Sequence, residues 1–184
     1  VTPVAFPALA VATTTEFNMK VGLRNPGFDV CQGFVQTTPA GKVTMAKDYT
    51  VSCTDTYALR LDALSDENTS YWSNYSAGGV GPNVIPVTPG KTYCFRAQVR
   101  SDLTQGKAAI GFAYFTDNGR WAQVTGKPPW GVPSEDVTGQ GEWQEREITL
   151  TAPEDAYSAV LFFRVEKAKG TVWFDGVEFG EVAE

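Results

Sequence analysis

Hydrophobic and polar positions alternate with a period of two through much of the chain. In 93–100, Tyr93, Phe95, Ala97 and Val99 fall on one side, and Cys94, Arg96, Gln98 and Arg100 on the other. In 57–62, Tyr57, Leu59 and Leu61 oppose Ala58, Arg60 and Asp62; in 160–165, Leu161, Phe163 and Val165 oppose Val160, Phe162 and Arg164. Successive side chains of a strand point to opposite faces, so this period predicts strands with one face buried. Bounded by Gly, Pro, Asn and Asp clusters, the expected strands are 21–24, 42–47, 56–64, 70–76, 91–101, 107–116, 120–124, 143–151, 157–166 and 171–179. No helical stripe of useful length interrupts them. Asp117-Asn118-Gly119 joins two aromatic-rich strands and predicts a hairpin, because Asn-Gly accepts positive φ cheaply. The segment 125–141, with Pro128-Pro129 and glycines at 131, 139 and 141, reads as a long loop. This spacing predicts an all-β fold, a two-sheet antiparallel β-sandwich of jelly-roll type.

Composition bounds what such a sandwich does. At 184 residues the chain reads as one domain, 1–184, with 1–19 as a loosely attached arm. With 11 Phe, 7 Tyr and 5 Trp against 2 Met, it favours strands. A net charge of -6 argues against nucleic acid as a partner, since phosphates demand a basic footprint. No run of apolar residues is long enough to cross a membrane as a helix. The opening Val1–Ala12 lacks a basic n-region and an initiator Met, which fits a mature terminus or an excised module. Of the three cysteines, Cys31 and Cys53 flank a Gly/Thr/Lys-rich stretch; a bridge between them would close a loop of about 23 residues and stabilise by about 3 kcal/mol in the chain-entropy model. Such a bridge would argue for an oxidising compartment, and the sequence leaves its existence open. Cys94, in mid-strand, reads as a small buried or half-buried thiol.

The inventory of reactive groups is thin. The chain has no histidine, which excludes Ser-His-Asp and Cys-His arrangements and any His-ligated metal. A glycosidase needs only two carboxylates about 5–10 Å apart. Glu142, Glu145 and Glu147 are the densest cluster, and the better account of them is a solvated edge strand. Tyr114 with Arg96 and Arg164 leaves a lyase open, as base and uronate neutraliser.

Several short motifs stand in order along the chain. Asn25-Pro26-Gly27-Phe28-Asp29 stands near the start; Gly141-Glu142-Trp143-Gln144 precedes Ile148-Thr149-Leu150-Thr151-Ala152-Pro153; and Gly170-Thr171-Val172-Trp173-Phe174-Asp175-Gly176-Val177-Glu178-Phe179 closes the run. Together, over roughly 21–180, they resemble the calcium-bound, galactose-binding-like jelly-roll carbohydrate-binding modules that grip xylan and glucan in a groove beside secreted glycoside hydrolases. The resemblance implies a non-catalytic module, secreted, that holds a linked catalytic domain near its polysaccharide. It also implies a structural calcium ion on Asp29 and Asp175. The alternative reading of these acids is a turn cap at Asp29 and an Asp-Gly bulge at Asp175. Trp72 falls where groove-type modules place a sugar-stacking tryptophan. Gln98, Arg96, Tyr114 and Arg164 would supply polar edges to the sugar, and Trp121 and Trp130 the groove walls. Trp143 and Trp173 are expected in the core. Arg60, Arg96, Arg100 and Arg164 all oppose apolar sets; as neighbours in one sheet they would suit a uronic-acid polymer rather than neutral xylan or β-glucan. The rival expectation is that they pair with acids such as Asp62 and Glu166. Two other classes stay open: a polysaccharide lyase or glycosidase on the same fold, and a structural or adhesive β-sandwich.

Overall fold

A computed structural model of the chain describes residues 43–53, 57–65, 85–128 and 131–183 in full, together with the strand pairing of 17–18, 35–36 and 68–72. The described residues are all β and turn, in twelve strands of one antiparallel sheet that does not close into a barrel. Two long strands form its spine: β7 (Thr92–Phe115) and β12 (Ser158–Val182), paired from Ser158↔Phe115 to Glu181↔Tyr93. The expected strands 91–101 and 107–116 are thus one continuous strand, as are 157–166 and 171–179.

This ribbon turns a corner at its middle. The register slips between Glu166 and Gly170, Gly106 and Gly170 adopt φ of 82° and 126°, and Lys167 sits at φ 48°. A Cβ on Gly106 would lie 2.3 Å from the Lys167 carbonyl oxygen, and one on Gly170 2.2 Å from that of Asp102. Only glycine permits the backbones to approach so closely at positive φ.

Beyond the corner the sheet lies back on itself as two layers. One layer holds β11 (Gln144–Thr151), the first half of β7, the last half of β12, β4 (Ala58–Leu64) and β3 (Val43–Asp48). The other holds the second half of β7 and the first half of β12. These are flanked by β5 (Asn68–Trp72) and β6 (Ile85–Pro86) on one side and by β8 (Trp121–Ala122) and β9 (Val132–Pro133) on the other. β2 (Val35–Gln36) extends β5, β10 (Val137–Gln140) straddles the corner on β7, and β1 (Phe17–Asn18) pairs with the end of β12. β9 and β10 both fall within the segment expected to be a loop. The expected strand at 21–24 lies outside the described residues.

The layers meet through aromatic rings. Phe112 packs edge-on to Phe179 at 5.2 Å, Phe95 to Phe163 at 5.8 Å, and Phe163 against Phe174 at 5.0 Å. These rings and Leu59, Leu61 and Ile110 are almost wholly buried. The core is therefore the side that alternation assigns to Tyr93, Phe95, Leu161 and Phe163. The Asn118-Gly119 hairpin forms as expected, with Phe115 opposite Trp121 and Gly119 at φ 77°.

Candidate functional site

Because the layers face each other, each has one outer face, and the expected site residues divide between the two. On the first layer, β7 turns Arg96, Gln98 and Arg100 outward. Arg96 donates to Glu147 at 2.8 and 3.0 Å and lies within 3.8 Å of Glu145 and 3.7 Å of Glu178. Burial works against its charge, but the Glu147 and Glu145 carboxylates outweigh it and hold the guanidinium above its ordinary pKa. Gln98 donates to Glu145 at 3.4 Å. Glu145 and Glu147 share one face of an edge strand, as expected, and they are engaged by β7.

Trp173 is no core residue: it stands partly exposed on this same face, its indole N–H donating to Asp48 at 2.8 Å. Trp143 is likewise only partly buried. Arg60, opposite Trp173 on β4, pairs with Asp62 at 2.9 Å and Asp48 at 3.6 Å. On the other flank of the indole, the Arg100 guanidinium carbon lies 5.7 Å from the ring centre.

On the second layer, Phe162, Arg164 and Glu166 of β12 face outward beside Gly111, Ala109 and Lys107 of β7. The Phe162 ring lies across Gly111 and against Gly131: a Cβ on Gly111 would meet it at 2.3 Å, and one on Gly131 at 2.7 Å. Strand register puts Trp72 opposite Phe162 and Ser70 opposite Arg164. At the far end Trp121, 37% exposed, lies 4.1 Å from the Phe115 ring. Arg164 reaches Glu166 at 3.3 Å and Asp136 at 4.0 Å, and Lys107 reaches Asp136 at 2.9 Å. Two cations and two anions thus close this end of the face. Its floor of Ala109, Ala113, Val160 and Phe162 is buried, so its reach to solvent is through Trp121 and the charged end.

Two further expectations need correction. Tyr114 is fully buried, points into the core and donates its hydroxyl to the Leu150 carbonyl at 2.9 Å, with burial pushing its pKa far up. It cannot edge a groove. The four arginines also do not form one row, because Arg164 belongs to the opposite layer from Arg60, Arg96 and Arg100. Three of the four are paired with carboxylates, as the rival expectation held. Trp121 and Arg164 do share one face, the one on which strand register sets residue 72 opposite Phe162. Trp130, Asp29 and Cys31 lie outside the described residues.

Asp175 is 3% exposed at a bulge where the β12–β7 register slips, and Gly176 follows at φ 56°. Its carboxylate accepts from Ser52 Oγ at 2.9 Å, from the Cys53 amide at 2.8 Å and from the Gly176 amide at 2.7 Å. A buried carboxylate is a donor type calcium takes. Among the described residues no group of three or more His, Cys, Asp or Glu stands ready to hold a metal ion. Cys53 carries a free, exposed thiol, and Cys94 is buried, as expected.

No family model matches the chain. Over 152 residues, 78% of this chain, it is 25% identical to the tRNA nuclease WapA of Bacillus subtilis strain 168; that match spans only 6% of the relative's length. Among solved structures, the enzymatically active domain of tailspike protein 4 from bacteriophage CBA120 superposes with TM-score 0.65 at 13% identity, covering 88% of this chain and 21% of that one. The C-terminal family 22 carbohydrate-binding module of Clostridium thermocellum Xyn10B gives 0.58 at 12% identity, covering 86% and 91%. TmCBM61, solved with β-1,4-galactotriose, gives 0.55 at 15% identity, covering 88% and 99%. At such identities the likeness is one of fold alone: an open antiparallel β-sandwich.

Proposed function

We propose that this chain is a non-catalytic polysaccharide-binding module that grips glycan along the solvent-reaching rim of its second layer's outer face, where Trp121 and Arg164 stand. The observation that carries the reading is that Trp121, Arg164 and the register position of residue 72 fall on one outer face of a fold shared with a xylan-binding domain and with a module solved with β-1,4-galactotriose. An indole offers its face to pyranose C–H groups, and Arg164 and Lys107 offer donors to hydroxyls. Because Glu166 and Asp136 offset both cations, a neutral xylan or β-glucan suits this face better than a uronic-acid polymer. Operation outside the cell and calcium held by Asp29 and Asp175 belong to the same reading. The linked domain is a separate matter: the curated relative is named a tRNA nuclease, which favours a nuclease-bearing parent as readily as a glycoside hydrolase.

The test is affinity electrophoresis on xylan, mixed-linkage glucan, β-1,4-galactan, alginate and pectin. Retention by a neutral glycan is expected, little changed by added salt and weakened about tenfold or more in Trp121→Ala and Arg164→Ala, in line with the loss of an aromatic or charged contact. Retention by none, or turnover of any, would overturn the reading.

A further inference from the structure

The outer face of the first layer holds a cleft that the proposed function leaves unused. It has a volume of about 370 Å³ and is walled by Arg100 and Asp102 of β7, Gln140 of β10, Glu142 in the following turn, and Trp173 of β12. That is within the range of clefts that take small ligands, about 300–1,000 Å³.

Arg100 sets this cleft apart. Arg60, Arg96 and Arg164 each have carboxylates within 4.0 Å. Arg100, among the described residues, has none, and its guanidinium leans on Trp173. The nearest acid in its own strand, Asp102, accepts a 2.6 Å bond from Gln140. The indole is fixed in turn, because its N–H is held by Asp48 and Asp48 is held by Thr50 and Arg60. The cleft therefore presents guanidinium donors on a rigid ring, with the Asp102 and Glu142 carboxylates lining it as acceptors.

We infer that this cleft is a second glycan site, on the layer opposite the first, and that it takes a neutral pyranose. A sugar hydroxyl both donates and accepts, and the cleft offers partners for both. A uronate or sulfated sugar would meet Asp102 and Glu142 beside a single unpaired arginine, on a face where Arg96 already sits among three glutamates. Repulsion disfavours it. Two sites on opposite faces make the module bivalent toward a polymer, which raises retention without tightening either site. The inference deepens the polysaccharide-binding reading and rests on it for the ligand class, but uses none of the same residues.

The experiment is a titration of the intact chain with xylohexaose, cellohexaose, β-1,4-galactotriose and a galacturonate hexamer. It is followed through the indole and arginine Nε signals in NMR spectra. With a neutral sugar, the Trp173 and Arg100 signals should move as well as that of Trp121. Arg100→Ala and Glu142→Ala should each weaken the Trp173 response about tenfold, as for loss of a charged hydrogen bond, with the Trp121 response kept. Movement at Trp121 alone overturns the second site and leaves the first. Movement at Trp173 alone supports the second and sinks the first. Response of the cleft to the galacturonate and to no neutral sugar overturns the assignment, as does no response there to any of the four.

Discussion

Asp48 holds together much of the first layer's outer face. Its carboxylate accepts from the Thr50 amide and hydroxyl and from the Trp173 indole, with Arg60 at 3.6 Å. Burial on its own would raise its pKa, but the hydrogen bonds from Thr50 and Trp173 and the charge of Arg60 prevail and bring it to about 2 from an ordinary 3.8. A depressed folded-state pKa adds stability that is fully present above the unfolded value and is lost as pH falls through the folded one. The chain should therefore lose stability between about pH 4 and pH 2, and urea unfolding of Asp48→Asn should show a shallower loss over that window. Parallel profiles for the two proteins would refute the assignment. At neutral pH, Asp48→Ala should cost about 1–3 kcal/mol, because it leaves the Trp173 N–H without its acceptor. The place of Trp173 was hidden in the sequence. Its neighbours Val172 and Phe174 are core residues, and a tryptophan among them looks like another, although strict alternation puts it outside.

At the scale of the elements, alternation identified the strands but not their continuity. The residues between 101 and 107, with Asp102, Thr104 and Gly106, carry the composition of a turn, yet β7 runs through them. Its partner β12 bends in step at Lys167 and Gly170, so pairing persists where local chemistry suggests a break. β9 and β10 escaped notice for the complementary reason. They are short, rich in Gly, Pro and Thr, and owe their extended form to β7 alongside. The corner yields a prediction. Gly170→Ala would push a Cβ to 2.2 Å from the Asp102 carbonyl oxygen at φ 126°. It should destabilise by clearly more than the about 1–2 kcal/mol expected for left-handed strain alone. Gly126→Ala supplies the control, since that glycine has φ 73° and open space around its absent Cβ, so it should show strain alone. Urea midpoints for the two variants check the comparison. Equal losses would mean that the corner relaxes and that close approach is not what requires glycine there.

For the whole molecule, a residue's side of its own strand was legible in the sequence, and the layer to which that strand's half belongs was not. Arg100 and Arg164 obey the same alternation, yet the folded ribbon sends them to opposite faces. The sequence sets Asp29 toward one end of the chain and Asp175 toward the other; β1 pairs with the last residues of β12, while Asp29 itself lies outside the described residues. A calcium ion held by both acids, as proposed, would stabilise the folded chain by mass action, since the unfolded chain offers no such site. Asp175 would keep its bonds from Ser52, Cys53 and Gly176 while serving the ion. The expected outcome is that chelation lowers the melting temperature of the wild type by several degrees, that added calcium restores it, and that Asp175→Asn melts low with no response to either. Metal content measured after dialysis against chelator guards against an ion held too tightly to remove. A metal-free wild type with an unchanged melting curve would leave Asp175 as a hydrogen-bonded anchor of the bulge and take calcium out of the proposed function.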